Sequence, residues 1–446
     1  MLKKKSFLLG VILLALPNML QNLVTNLASL IDNLMVGSLQ EHAIAGVTVT
    51  NQVVFIFTIV LFGIGGAAGI FIPQFKGIGN EAKMTEVFKI SLIFSMILSI
   101  IFFFAMLIFP ENVLRIFAQN PYDIAAAMDY LRFIKYTFLI LPISLAIGNA
   151  YRLSGFVKIP MYLAFITVGI NTVLNIGLIN GNFGLPAMGV EGAALGTLLS
   201  RILEFIIYIL LTKIIKSPVK IKILTLFTIE KSLFRAFIQK GYGLVLNEFF
   251  WAFGVQALTV IYTMRLSENI AAMSIAQTFG KLVWVGMGGI SVVFSIYLGD
   301  HLGRSEFNEA KTVARKLKII SSFTGITLGL IVFAISFFLI GLFNVEPHIL
   351  RTGQIILAIT VGFSWINYLN SSYFFILRAG GDTKGVLIID SFYTWLITLP
   401  AAFLIGQLPI VMALHFFIMQ FSEIGKLIVA HRLYKKGTWL KNLTTI

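Results

Sequence analysis

The sequence predicts an all-α membrane protein of twelve transmembrane helices, arranged as two six-helix lobes related by a pseudo-two-fold axis along the membrane normal. Three observations predict it. Of 446 residues, 58% are hydrophobic and only 12% charged, where a soluble domain carries about 25% charged residues. Apolar runs of the roughly 20 residues needed to cross a bilayer follow one another along almost the whole chain. The motifs between those runs occur twice, in the same order.

Polar punctuation divides the chain into spans at about 7–36, 48–75, 88–109, 128–150, 160–180, 190–214, 241–265, 273–298, 317–343, 353–377, 385–405 and 409–432. Helices are expected rather than a barrel, because the runs are long and lack period-two alternation. The first run is too long for a signal peptide and has no small-residue cleavage site. The chain has no Cys, so disulfides, thiolate metal sites and Cys nucleophiles are excluded. Lys and Arg set the orientation. With the N-terminus inside, 26 of the 34 fall on inside segments. Only Arg115, Arg132, Lys135, Arg265 and Arg351 fall outside, and Arg201, Lys281 and Lys426 lie within spans. Both termini are therefore expected on the cytoplasmic side of a cell inner membrane. The net charge of +15 is dispersed between apolar runs. It fits a basic rim against anionic lipid and gives no reason to expect nucleic acid.

The duplication is visible residue by residue. "YRLSGFVKIP" at 151 and "LRAGGDTKGV" at 377 align at an offset of 226, pairing Arg152 with Arg378, Gly155 with Gly381 and Lys158 with Lys384. "IAGVTV" from Ile44 matches "IAAMSI" from Ile270 at the same offset, and close to it "GIGGA" at 63 matches "GMGGI" at 286. "NEAK" occurs at 80 and again at 308. Six spans per copy is an even number, so both copies share one topology, as in parallel-repeat transporters. The expected division is a lobe at 1–214, an amphipathic cytoplasmic linker at 215–239 and a second lobe at 240–446. Two such lobes around a cleft suit alternating access.

Intramembrane polar residues are the candidate functional groups, since a carboxylate facing lipid costs about 2.5–3.5 kcal/mol on insertion scales. In the first lobe these are Asp32, Asn171, Asn175 and Thr197. Asn171 and Asn175 share a helix face at i, i+4. A carboxylate, two amide oxygens and a hydroxyl form a hard, all-oxygen set suited to Na+, while a protonatable Asp32 alone suits H+. The competing reading is a hydrogen-bonded plug that fixes helix register. In the second lobe Glu248 stands out in "GLVLNEFFWAFG", with Asn247, Trp251 and Gln256 around it; Asn367 and Gln277 complete a candidate ion or substrate site. The competing reading there pairs Glu248 with Lys281. Arg201 with Glu204, and Glu423 with Lys426, are expected as i, i+3 pairs, and Asp390 is expected near the inner surface. Pro17, Pro142 and Pro400 can kink their spans. The 41 Phe and 14 Met residues could supply an adaptable surface for amphipathic cations. There is no P-loop and no HExxH, so no cofactor is expected and any transport must draw on an ion gradient. A channel, and a membrane enzyme with catalytic groups converging near one surface, are the other classes considered; no such catalytic constellation is visible.

Taken together, "ALPNMLQNLVTNLASLIDNLMVG", the "GNEAK" turn, "LRAGGDTK", "NTVLN" followed by "GVEGAALGT", and "NEFFWAFG" resemble the multidrug and toxic compound extrusion (MATE) transporters of the MOP flippase superfamily, over essentially the whole chain. The resemblance implies a Na+- or H+-coupled antiporter, acting as a monomer, that exports small organic cations or amphipathic compounds and is not an enzyme. It implies ion coupling at Asp32 with Asn171, Asn175 and Thr197, and a role for Glu248. Some members have aspartate where Asn175 stands, and aspartate is usual where Asn367 falls; some have Tyr at Phe363. A second-lobe ion site would therefore carry less charge, which shifts the expectation to the first-lobe cluster. A lipid-linked precursor flippase of the same superfamily is the alternative, although such proteins tend to carry a cationic cleft.

Overall fold

The computed structural model describes residues 2–37, 39, 41–214, 226–264, 267–343 and 345–445. The described residues are helical nearly throughout, with no strand among them. In chain order the helices are α1 Leu2–Gly37, α2 Glu41–Gly77, α3 Glu81–Ile108, α4 Pro110–Leu114, α5 Pro121–Ile134, α6 Thr137–Leu153, α7 Lys158–Asn180 and α8 Gly189–Ile214. They continue as α9 Lys231–Thr263, α10 Ser267–Gly303, α11 Phe307–Leu339, α12 Pro347–Ala379, α13 Thr383–Leu387, α14 Leu399–Gly406 and α15 Met412–Lys435. Among the described residues eleven helices are long and apolar enough to cross a bilayer, and α5 with α6 forms a twelfth span, bent by 55°. All twelve expected spans are present. Of the expected linker, residues 215–225 lie outside the described residues, and α9 begins at Lys231.

Two local departures matter. The bend in the fourth span falls at Lys135–Tyr136, between α5 and α6, and not at Pro142, which sits inside a continuous α6. The eleventh span is not a plain α-helix. Between α13 and α14 it runs through π-helical turns at Ile388–Phe392 and Thr394–Thr398. A π-turn inserts one residue per turn and re-aims the side chains beyond it. Here it carries Asp390 and Ser391, both of which reach α9.

The chain forms two compact units. One comprises Leu20–Ala68 and Asn80–Ile238. Its helices approach closely where glycine removes the side chain: a Cβ on Gly192 of α8 would lie 2.3 Å from the Leu178 carbonyl oxygen of α7. The other comprises Met1–Met19, Gly69–Gly79 and Gln239–Ile446. Within it the start of α1 crosses α10, where a Cβ on Gly289 would meet Met19 at 2.4 Å.

The duplicated turn after the fourth and tenth spans has the same backbone in both copies. Gly155 (φ 90°) and Gly381 (φ 71°) both occupy the left-handed region that favours glycine. Its arginines also act alike. Arg152 donates to Gln21 Oε1 at 3.4 Å, and Arg378 lies 3.6 Å from Glu248. In each copy the arginine ending the fourth span reaches back to the first span of that copy.

The last residues fold into the second unit rather than away from it. Trp439 is fully buried and stacks on Tyr434 with ring centres 5.6 Å apart. Gln74 of α2 donates to the Ala379 carbonyl at 3.1 Å and accepts from the Leu443 amide at 2.8 Å. Asn442 donates to the Gly303 carbonyl at 3.0 Å. The tail thus satisfies a carbonyl at the end of α10 directly, and through Leu443 it holds the Gln74 side chain that satisfies one at the end of α12. Gly380 permits this. A Cβ there would overlap the Trp439 carbonyl, whereas Gly362, on the same helix, has nothing within 4 Å. Gly380→Ala is therefore expected to lower the melting temperature in detergent by several degrees, about 1–3 kcal/mol of overpacking. Gly362→Ala is expected to leave it unchanged or slightly higher. Equal behaviour of the two would show that the tail does not brace the helix ends.

Candidate functional site

The first-half candidates converge. Asp32 lies in α1, Asn171 and Asn175 on one face of α7, and Thr197 in the third turn of α8. Asn175 Nδ2 donates to Asp32 Oδ1 at 2.8 Å. The same amide is 3.5 Å from Asn171 Oδ1, and Asn171 Nδ2 is 3.5 Å from Thr197 Oγ1. The i, i+4 spacing of the two asparagines is what stacks them into this chain. Both are buried, while Asp32 and Thr197 are half-buried.

Two features of the cluster bear on its chemistry. Asn175 Oδ1 is buried without a hydrogen-bond partner, an arrangement that costs about 1–3 kcal/mol. It points at Gly196, whose Cβ, were there one, would lie 2.3 Å away. Second, a buried tyrosine missed at the sequence level, Tyr130 of α5, lies close enough to Thr197 and Asp32 to interact with both. The signal for it was weak: one tyrosine in an apolar run. Arg201, one turn beyond Thr197, also faces Asp32, but its guanidinium is engaged at 2.7 Å by Glu204, the expected i, i+3 pair. The cluster can present a carboxylate, two amide oxygens and two hydroxyls to a small cation, or hold a proton on Asp32. Among the described residues no group of three or more His, Cys, Asp or Glu is placed to hold a metal ion.

The second-half candidates do not converge in this way. Glu248 Oε1 faces Arg378 Nη1 of α12 at 3.6 Å; Lys281, the partner considered from sequence, is exposed. Gln256 is exposed and stands about 12 Å further along α9. Gln277 donates to Thr259 at 3.2 Å, tying α10 to α9. Asn367 is half-buried on α12, and it is Asn370, one turn on, that meets a carboxylate. Its Nδ2 donates to Glu423 Oε2 at 2.8 Å. Lys426 does not pair with Glu423 as the i, i+3 spacing suggested. It binds Asp390 at 3.0 Å, because the π-turn brings that carboxylate to α15. Asn247, beside Glu248, donates to Asp390 at 3.1 Å and accepts from Ser391 at 2.8 Å. Glu248 and Asp390 thus each face a cation, Arg378 and Lys426.

The protein is a multi-pass, all-helical membrane protein built on a duplicated six-span plan, with a polar cluster buried inside its first half. The MatE family profile matches it twice, at residues 17–176 and 245–404, and the chain belongs to that family, whose members are transporters and not enzymes. It is 26% identical over 398 residues to the probable multidrug resistance protein NorM of Thermotoga maritima, covering 87% of this chain and 84% of that one. It is likewise 26% identical over 412 residues to the multidrug export protein MepA of Staphylococcus aureus, covering 88% and 86%. Its fold superposes on the outward-facing structure of a multidrug resistance MATE family transporter of the MOP superfamily with a TM-score of 0.86, at 18% identity over 96% of this chain and 95% of that one. It also superposes on a MOP superfamily transporter from Pyrococcus furiosus with a TM-score of 0.83, at 18% identity over 96% and 95%.

The Glu248–Arg378 geometry yields a prediction. Glu248→Gln leaves Arg378 without its carboxylate and is expected to cost about 1–3 kcal/mol, read as a lower melting temperature. Adding Arg378→Gln should recover most of that loss, since neither half-pair then remains. Simple addition of the two losses would mean that Glu248 and Arg378 act separately.

Proposed function

We propose that the protein is an efflux antiporter that exports amphipathic organic cations by alternating access, drawing on inward movement of Na+ or H+ at the Asp32 cluster. The observation that carries this reading is the unpartnered, buried Asn175 Oδ1 next to a carboxylate. In the arrangement seen here Asn175 presents its amide nitrogen to Asp32. Turning the amide over brings its oxygen to the same side as Asp32 and Asn171, completing a hard oxygen set for a cation. The names of the relatives, multidrug resistance and multidrug export proteins, support the substrate class. Excess Lys and Arg on inside segments supports cytoplasmic termini. In the coupling scheme, an ion at Asp32 stabilises one arrangement of α1, α7 and α8, and substrate the other; reciprocal coupling follows from linkage.

The test is ethidium efflux from vesicles with Na+ and pH gradients imposed separately. Wild type should export under at least one gradient, and Asp32→Asn should abolish gradient-driven export while eluting as folded protein. A Na+ gradient acting at constant pH assigns Na+; a pH gradient acting alone assigns H+. Full efflux by Asp32→Asn would remove the role assigned to this cluster. Export of lipid-linked precursors without any drug efflux would favour the flippase alternative. A finer probe is Gly196→Ala, whose methyl group would displace Asn175. Losing a hydrogen bond to a charged group costs about 1.5–3 kcal/mol, so half-saturation by the coupling ion should weaken by roughly tenfold or more. Gly169→Ala, on α7 with nothing within 4 Å, should not change it.

A further inference from the structure

A groove of about 440 Å³ opens between α12 and α15. Its apolar end is formed by Leu427 and Ile428, and its polar end by Tyr373, His431, Arg432 and Lys435. The α15 residues follow helical spacing: Ile428, Arg432 and Lys435 lie on one face, and Leu427 and His431 beside them. The face changes from hydrocarbon to cation along the axis, toward the end of the span that carries the C-terminus.

More positive charge stands behind this rim. Lys318 of α11 lies 4.6 Å from the Tyr373 ring centre and 4.1 Å from that of Tyr434, and its ammonium is 3.4 Å from the Tyr373 hydroxyl. That hydroxyl is 2.9 Å from His431 Nδ1. Arg315, one turn before Lys318 on α11, adds a further positive charge close enough to act on it. Among the described residues, none of Arg315, Lys318, Arg432 and Lys435 makes an ion pair with a carboxylate. Three ion pairs lie within the spans elsewhere: Arg201 with Glu204, Arg378 with Glu248, Lys426 with Asp390. Here aromatic faces and a tyrosine hydroxyl take the place of the acid, and the cluster is left with an excess of positive charge next to a greasy slot.

We propose that this groove binds an anionic phospholipid, its phosphate held by Arg432 and Lys435 with Lys318 and Arg315 supplying field behind them, and an acyl chain lying against Leu427 and Ile428. Arg and Lys near a membrane surface attract anionic headgroups at about 1 kcal/mol each. Planar guanidinium and ammonium donors match phosphate oxygens, and the apolar end fits a chain but not a free anion. The site stands on α11, α12 and α15 alone, and does not depend on the ion-coupling assignment.

The experiment is a thermal-shift titration of the full-length protein in detergent with phosphatidylglycerol, phosphatidylcholine and inorganic phosphate. Wild type should bind phosphatidylglycerol more tightly than phosphatidylcholine, by about thirtyfold for two engaged charges. Arg432→Gln with Lys435→Gln should remove the preference, and Arg432→Lys with Lys435→Arg should keep it. Equal affinity of wild type for the two lipids overturns the proposal, even if the neutralised variant does not fold. So does a preference that survives neutralisation. Inorganic phosphate that stabilises as well as phosphatidylglycerol would mean a free-anion site and would overturn the lipid assignment.

Discussion

Hydrocarbon offers an ionised carboxylate no water, so a charge placed inside a span must find its solvation in protein. Asp32 takes an amide from Asn175, Glu204 takes Arg201, Glu248 takes Arg378, Asp390 takes Lys426 with Asn247, and Glu423 takes Asn370. Most of these partners come from a different helix. Each pair is therefore also a statement about which spans are neighbours and in what register. The polar residues select among the packings that featureless apolar helices would allow, at positions where a slip would strand a charge.

The same constraint separates the two halves. Duplication has preserved the turn with Gly155 and Gly381 and the arginine that reaches back from it, but the groups those arginines meet have diverged. Gln21 is neutral and Glu248 is charged. The second half holds Glu248 and Asp390 against fixed cations, Arg378 and Lys426, and Glu423 against the neutral Asn370 amide. In the first half Asp32 is met by a neutral amide, and the nearby Arg201 is matched by Glu204. A carboxylate already neutralised by a guanidinium gains little from an added Na+ or H+. One solvated only by an amide gains a great deal. Glu423, met by the Asn370 amide, shares that feature in the second half; what Asp32 has besides is the stacked Asn175, Asn171 and Thr197 beside it, which supports the proposed place of an exchangeable cation.

Much of this was legible in the sequence because helices impose simple arithmetic. Apolar length defined twelve spans, and i, i+4 spacing put Asn171 and Asn175 on one face. Less was legible where the outcome depends on which helix packs against which. Glu248 was compatible with Lys281 until the fold turned Arg378 toward it. Lys426 had a carboxylate at i, i+3 and yet binds Asp390, because π-turns, which no local residue pattern announced, rotate that acid to α15. Tyr130 and the buried tail with Trp439 were invisible for a related reason: a single aromatic in a hydrophobic chain has no period.

The uncompensated cations at the α12–α15 groove gain meaning from the same rule. Arg432, Lys435, Lys318 and Arg315 make no ion pair among the described residues, and they stand near the ends of their spans, where Lys and Arg can extend to the headgroup layer. At that depth the missing counter-charge need not come from protein, because the bilayer itself contains phosphate. The aromatic ring faces around Lys318 keep the cation in place without neutralising it, which leaves its field available to an anion in the groove. A carboxylate in that position would satisfy the lysine equally well and close the site to lipid.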